Sequence, residues 1–404
     1  MPDFAKLLTS AAQGSDARFT GFPEFNFVGG HIDADTIPVD AMIESVSSVL
    51  ARDGTDLATY GLQSGPQGYY PLRQYVAAKL DKYCAINCEA EDILLTSGSL
   101  QGMDLVNQAL LNEGDIVIVE ESNYGGALSR FRNLGVDMDA IPLDADGMLT
   151  DQLEIALQRL ADAGRLPKFI YTVPTVHNPT GSILSLERRH ELLRIAAKHD
   201  IVIVEDECYA DLVWSGERPP ALYALDNDQR VIHIGTFSKT VAPALRVGYV
   251  AAPWSILGHI MPLKSDAGSG ALEQMLLAEF CPDKFDKHLS KINNAFQTKL
   301  DALTAAIDRE FGTTASYEYP PGGIFLWVKF EPPVDTEKLA LVAGAEGVAV
   351  NPGHEWSLQD DSKQFIRLCF ANPSVQDIDA GITKLASICH DTFGVPEFGV
   401  NKKR

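Results

Sequence analysis

Thr236-Phe237-Ser238-Lys239-Thr240-Val241-Ala242-Pro243-Ala244-Leu245-Arg246-Val247-Gly248 is the stretch on which the reading of this chain turns. A lysine amine is a weak nucleophile while it stays protonated. Desolvation or a nearby cation lowers its pKa, and it then condenses with an aldehyde. An arginine a short turn further on can clamp a phosphate with two parallel hydrogen bonds. The hydroxyls of Thr236 and Ser238 can donate to the same group. Aldehyde plus phosphate describes pyridoxal phosphate (PLP), with Lys239 as its candidate anchor. The alternative is a surface Ser-Lys dipeptide with Arg246 in an ion pair. The rest of the chain bears on that choice.

Upstream of Lys239, short apolar runs alternate with helical patterns. Asp92–Thr96, Ile116–Glu120, Val136–Pro142, Phe169–Val173, Ile201–Glu205 and Val231–Gly235 read as strands, and Val247–Ala252 adds a seventh. Between them, residues 149–163 and 186–199 have helical spacing, as do the runs carrying Leu72, Val76 and Leu80, and Met103, Val106 and Leu110. Asp40 to Arg52 reads as a helix capped by Asp40, with Ile43, Val46, Val49 and Leu50 on one face. Seven strands with helices between them predict an α/β sheet buried on both faces. Right-handed crossovers put the strand-end loops on one rim, where such sheets bind ligands. Ser99, Tyr124, Asn178, Asp206 and Lys239 all fall just after strands. Ser97-Gly98-Ser99 joins a strand to a helix N-terminus. That is an anion site, because free N–H groups and the helix dipole point outward, or else a plain βα turn.

Beyond the sheet, Leu272 to Phe311 is a long helical region, expected to break near Cys281-Pro282 and to link to a second domain. Ile324–Phe330, Gly347–Val350 and Phe365–Phe370 read as strands, and residues 335–346 and 375–390 as helices. Arg367 stands inside the apolar run F-I-R-L-C-F. A charge there is costly unless paired. It meets either a protein carboxylate or the carboxylate of a substrate. The predicted division is an arm and part of a small domain (1–45), a large cofactor-binding domain (46–285) and a C-terminal small domain (286–404).

The net charge of −22 opposes a nucleic-acid partner, whose phosphates need a basic face. The six cysteines are scattered and read as reduced, which fits a cytoplasmic protein. No metal-ligand spacing appears, Met1 to Ser10 lacks the pattern of a secretory signal, and no run is long enough to span a membrane. Residues 1–28 read as an arm. Arg18 within it is a solvated or intersubunit charge, with a substrate role as the minor option.

These residues resemble the class I/II aminotransferases, the PLP-dependent fold type I group, and most of all the branch with 2-aminoadipate and kynurenine aminotransferases. The resemblance runs from about Gly29 to Ala386 and rests on G-G-H-I-D-A-D-T-I-P, G-Y-Y-P-L-R, T-S-G-S-L-Q-G, N-P-T-G, E-D-E-C-Y, the Lys239 stretch, P-G-G-I-F-L-W and R-L-C-F-A-N. It implies a large domain with a seven-stranded, mainly parallel sheet, a smaller α+β domain, and transfer of an amino group between an L-amino acid and a 2-oxo acid. It implies that Lys239 anchors PLP and moves the Cα proton, and that Asp206 pairs with the pyridine nitrogen. Tyr209 and Asn178 bond the phenolic oxygen, and Tyr124 stacks on the ring. Gly98, Ser99, Leu100, Thr236, Ser238 and Arg246 surround the phosphate. Arg367 receives the substrate carboxylate, helped by the Gly30 backbone and near Asn178. Tyr60 resembles the tyrosine such enzymes lend to a partner subunit, which implies a homodimer with a shared site.

Some positions depart from the family pattern. His31-Ile32 stands where an apolar residue and a proline are usual, which puts the substrate in question and makes His31 a candidate contact. Leu100 replaces a glutamine, Cys208 a proline, and Asn123 a Thr or Ser. The loop from Tyr60 to Gly68 is longer than usual. A PLP-dependent lyase, decarboxylase or specialised biosynthetic enzyme is the alternative. A transcription regulator with an aminotransferase-like domain is disfavoured by charge and by the short stretch before Gly29.

Overall fold

The structure is a computed structural model that describes residues 6–8, 18–19, 21–331 and 334–396. At its centre is a seven-stranded sheet: β1 (Ile93–Thr96), β2 (Ile116–Glu120), β3 (Asp137–Ile141), β4 (Phe169–Thr172), β5 (Val202–Asp206), β6 (Val231–Thr236) and β7 (Gly248–Ala251), in the order β1-β7-β6-β5-β4-β2-β3. Strands β2, β3, β4, β5 and β6 pair in parallel. Strand β7 runs antiparallel to both of its neighbours, β1 and β6. All seven strands read from sequence are present, within a residue or two at their ends. Strands β1, β2, β4, β6 and β7 are buried along their whole length. Helices on both faces explain why these runs are continuous in apolar residues rather than alternating.

The antiparallel β7 has a consequence for the site. Lys239 follows the end of β6, and the chain turns back through Arg246 into β7. The reversal holds the arginine at the same rim as the lysine. A parallel crossover would have carried it to the far edge.

Asp40 does not cap the first helix. That helix spans Val39–Asp53, with Pro38 at the cap position and Asp40 inside its first turn. A proline there sets the entering backbone and needs no N–H donor. Val49 is buried on its inner face, while Ile43 and Leu50 are exposed in the single chain. The expected break at Pro282 is also absent: one helix runs from Ala271 to Phe311. An interior proline costs roughly 3 kcal/mol. Phe280, Cys281 and Phe285 beside it are buried, and each large apolar side chain contributes about 1.5–3 kcal/mol. Burial therefore outweighs the lost hydrogen bond. The long helix packs against both 39–53 and 375–393.

A second, four-stranded sheet follows in the order Ala315–Tyr317, Phe325–Phe330, Phe365–Cys369, Asn351–Pro352, all antiparallel. Phe25–Asn26 pairs in parallel with Val348–Ala349, so the N-terminal segment lies against the C-terminal part of the chain. Arg367 sits in the third strand of this second sheet, opposite Trp327 on one side and Asn351 on the other.

Candidate active site

A cavity opens at the C-terminal rim of the large sheet. Its walls include Ser99, Tyr124, Asp206, Tyr209, Ser238 and Lys239, with Leu100, Cys208, Thr236, Pro243 and Arg246 beside them. Residues from β1, β2, β5 and β6 thus converge from sequence positions far apart.

Lys239 donates from Nζ to the Gly30 carbonyl oxygen at 2.8 Å. Burial pushes its pKa down, and the cations Arg367 and Arg246 add to that. A depressed lysine is a better nucleophile at neutral pH. Asp206 ends β5 and is buried, which raises its carboxyl pKa. Its Oδ2 accepts from the Tyr171 hydroxyl at 2.8 Å and its Oδ1 from the Cys208 N–H at 3.2 Å. Those bonds favour the ionised form and oppose the burial. Asn178, in a cis bond to Pro179, donates from Nδ2 to Tyr209 Oη at 3.1 Å.

Gly98 precedes the helix that begins at Ser99 and has φ 76. A Cβ at Gly98 would collide with the Arg246 guanidinium. Only glycine lets this turn and that arginine lie together. Arg246 is exposed and donates to the Ser97 and Pro243 carbonyl oxygens at 3.2 and 3.1 Å. Thr236 Oγ1 lies 3.0 Å from Ser238 Oγ and 3.1 Å from the Val247 carbonyl oxygen, so it also shapes its own loop. A helix N-terminus, hydroxyls and an arginine form an anion cradle.

Arg367 is 2% exposed. Its guanidinium donates to Asn178 Oδ1 at 3.2 Å, to the Gly29 carbonyl oxygen at 2.9 Å and to Asn351 Oδ1 at 2.8 Å. It lies between the rings of Phe325 (3.8 Å) and Trp356 (3.4 Å). Its buried Nε has no partner, and among the described residues no carboxylate forms an ion pair with it. Burial pushes its pKa down to about 10. The alternative of a structural salt bridge therefore fails. A buried cation without a counterion suits an anion that arrives from solvent. The nearby backbone divides in a way the sequence did not show: Gly29 serves Arg367 and Gly30 serves Lys239.

Three of the predicted residues lie outside this cluster. Tyr60 is 88% exposed. Arg18 is also exposed. His31 is exposed, stands edge-on to Phe22 at 5.6 Å, and lines an adjoining cavity that shares Pro243 with the first. Four neighbours were missed. Tyr171 was legible only as part of an apolar strand, although a buried tyrosine hydroxyl calls for a partner. Asn351, Phe325 and Trp356 carry no local signal, because their partner Arg367 is reached only through the fold.

The class I and II aminotransferase family model matches residues 30–385. The chain belongs to the class I and II aminotransferases. It is 34% identical over 364 residues to aromatic-amino-acid aminotransferase 1 of Thermococcus litoralis, covering 89% of this chain and 87% of the relative. An uncharacterized HTH-type transcriptional regulator of Bacillus subtilis is 29% identical over 88% of this chain and 72% of its own length. The crystal structure of LysN, the alpha-aminoadipate aminotransferase of Thermus thermophilus, complexed with N-(5'-phosphopyridoxyl)-L-leucine, has 29% identity and a TM-score of 0.86 over 96% of this chain and 99% of that one. This aminotransferase is a PLP-dependent enzyme of fold type I that transfers amino groups. Its donor set fits that cofactor: an anion cradle, a buried carboxylate and an amine line one cavity, and Arg367 is a buried cation that pairs with no carboxylate among the described residues. Among the described residues no helix is long and apolar enough to cross a membrane.

Proposed function

We propose that this aminotransferase takes its amine from an L-amino acid with an aromatic or other uncharged side chain, and passes it to a 2-oxo acid. The observation that carries the site assignment is the buried Arg367, without a carboxylate partner among the described residues, near the depressed Lys239. PLP, when bound, supplies an electron sink for the pair of electrons left at the amino acid's Cα. Lys239 anchors the cofactor and carries the Cα proton. Asp206, held by Tyr171, keeps the ring nitrogen protonated. Tyr209 and Asn178 hold the phenolic oxygen, and Tyr124 covers a ring face. Ser99, Ser238, Thr236 and Arg246 hold the phosphate, with Gly98 and Leu100 beside it. Arg367 orients the substrate carboxylate through a bidentate pair.

The adjoining cavity supports the side-chain preference. Its lining includes Phe22, His31 and Ile32 with two acids, Glu24 and Asp377, and among the described residues no lysine or arginine. An anionic side chain would meet repulsion there. His31 is the polar contact we assign to the donor's side chain, while Arg18, exposed and outside that lining, we leave as a solvated or intersubunit charge. The test is a half-reaction: PLP-loaded protein without oxo acid receives single L-amino acids while cofactor absorbance and released oxo acid are followed. Phenylalanine or tyrosine should convert the cofactor with stoichiometric oxo acid faster than glutamate or 2-aminoadipate. Faster conversion by the dicarboxylates would overturn the preference. Release of carbon dioxide or ammonia instead would favour a lyase.

The working unit we infer is a cytoplasmic homodimer, divided into a large domain (46–285) and a small one formed by 286–404 with part of 1–45. Val39, Ile43, Leu57, Tyr60 and Trp254 are all about half exposed or more in the single chain, and such a set marks an interface. Tyr60 would then complete the partner's site. Analytical ultracentrifugation at micromolar concentration should give a dimer mass, and a single monomer species would reject the shared site.

A further inference from the structure

Behind the cofactor cavity lies a buried polar cluster that the roles above leave unused. Glu120 ends β2 and is 2% exposed. Its Oε2 accepts from Asn123 Nδ2 at 2.6 Å. Its Oε1 accepts from the hydroxyl of Thr172, at the end of β4. Asn123 Oδ1 in turn accepts from the Tyr124 N–H at 2.6 Å. The Asn123 N–H donates to the Trp356 carbonyl oxygen at 2.8 Å, and Trp356 is the ring that covers Arg367. On the other side, His177 Nε2 stands 4.0 Å from Glu120 Oε2, buried and with no hydrogen-bond partner among the described residues. His177 immediately precedes Asn178, which bonds both Tyr209 and Arg367.

A carboxyl group in such a place is costly unless its oxygens are bonded. Here every bond leads to a segment that carries a site residue. Asn123 stands where the resemblance leads one to expect Thr or Ser, and its amide does two things at once: it donates to Glu120 and accepts from Tyr124. The amide does so with two separate atoms, Nδ2 and Oδ1, where a hydroxyl would have to serve both bonds from one oxygen.

We propose that Glu120 is a positioning residue that ties the Tyr124 wall to the Asn178 loop, so that the ring-covering side chain and the carboxylate-binding arginine keep one register. This rests on the roles proposed above for Tyr124, Asn178 and Arg367. Burial pushes Glu120 up to about 7 and His177 down to about 3. The carboxyl is thus only partly ionised near neutral pH, and a glutamine can replace it by accepting from Asn123 and turning its amide N–H to the Thr172 hydroxyl oxygen.

The test uses apoprotein titrated with PLP, and the reloaded enzyme assayed with its best donor. Glu120→Ala should weaken PLP binding and raise the donor KM, each by about tenfold, as expected for lost buried hydrogen bonds, with kcat changed by less than about threefold. Glu120→Gln should recover both to within about threefold of the parent. The double variant Glu120→Ala/Asn123→Ala should bind PLP no more weakly than Glu120→Ala alone, because the two residues form one connection. Parent-like values for Glu120→Ala, a glutamine variant as impaired as the alanine one, or multiplying effects in the double variant would each overturn the proposal. If Glu120→Ala does not fold, Asn123→Ala and Thr172→Val each remove one bond. PLP affinity unchanged in both would likewise reject it. Tyr124→Ala separates the levels: unchanged PLP affinity there sinks the underlying site reading. Weakened affinity there, with none in Glu120→Ala, sinks only the role of Glu120.

Discussion

Replacing Lys239 with alanine is expected to abolish transamination. Loss of the general base alone costs about 10²–10⁴ in rate, and the covalent attachment of the cofactor is lost as well. The absorbance of covalently bound PLP should disappear, while the apoprotein should still take up PLP, because the anion cradle of Ser99, Ser238 and Arg246 remains in the cavity. Folding should survive: among the described residues the lysine's amine bonds only the Gly30 carbonyl oxygen, and removing a half-buried cation relieves the desolvation that lowers its pKa. Absorbance spectroscopy and a turnover assay on the same preparation check both parts. A yellow, active variant would show that another amine anchors the cofactor.

Arg367→Ala should fall mainly on the use of the amino acid. Truncating one partner of a buried, hydrogen-bonded charge pair costs about 2–5 kcal/mol. That corresponds to a loss of roughly 30- to 5000-fold in kcat/KM at about 1.4 kcal/mol per factor of ten. PLP affinity should change far less, because Arg367 does not line the cavity that holds Ser99, Lys239 and Arg246 but lies between Phe325 and Trp356. Arg367→Lys should recover only part of the loss. An ammonium keeps the charge but loses the planar fork and the stacking between two rings. Steady-state kinetics across donors, with PLP affinity measured on the apoprotein, gives the decision. Parent-like kcat/KM in the alanine variant would remove Arg367 from the substrate site.

The sheet was legible because its information is local. Each of the seven strands is a short apolar run between turn residues, and burial on both faces leaves a continuous signature that needs no partner to be read. The site was partly legible for a related reason. Ser99, Tyr124, Asp206 and Lys239 sit at or just after strand ends, and parallel pairing carries those ends to one rim. Two local readings failed, one to packing and one to a competing local signal. The helix runs through Pro282 because Phe280 and Phe285 are buried on either side of it. Pro38 rather than Asp40 sets the first helix start.

The order of residues by itself determined the alternation of strands and helices, the Lys239–Arg246 pair, and the candidate groups that the fold brings to one rim. Tertiary structure alone decided what those groups meet. Arg367 bonds Gly29, 338 residues away in sequence, and Asn178, 189 residues away. Neither contact has a periodicity or a spacing to reveal it. Only the fold showed that Arg367 pairs with no carboxylate among the described residues, that Tyr171 bonds Asp206, and that Glu120 bonds both Asn123 and Thr172. The reason is physical. Burial removes water as a partner, so each polar group inside must be satisfied by whatever the packing brings within about 3 Å, and one-dimensional patterns do not encode that distance.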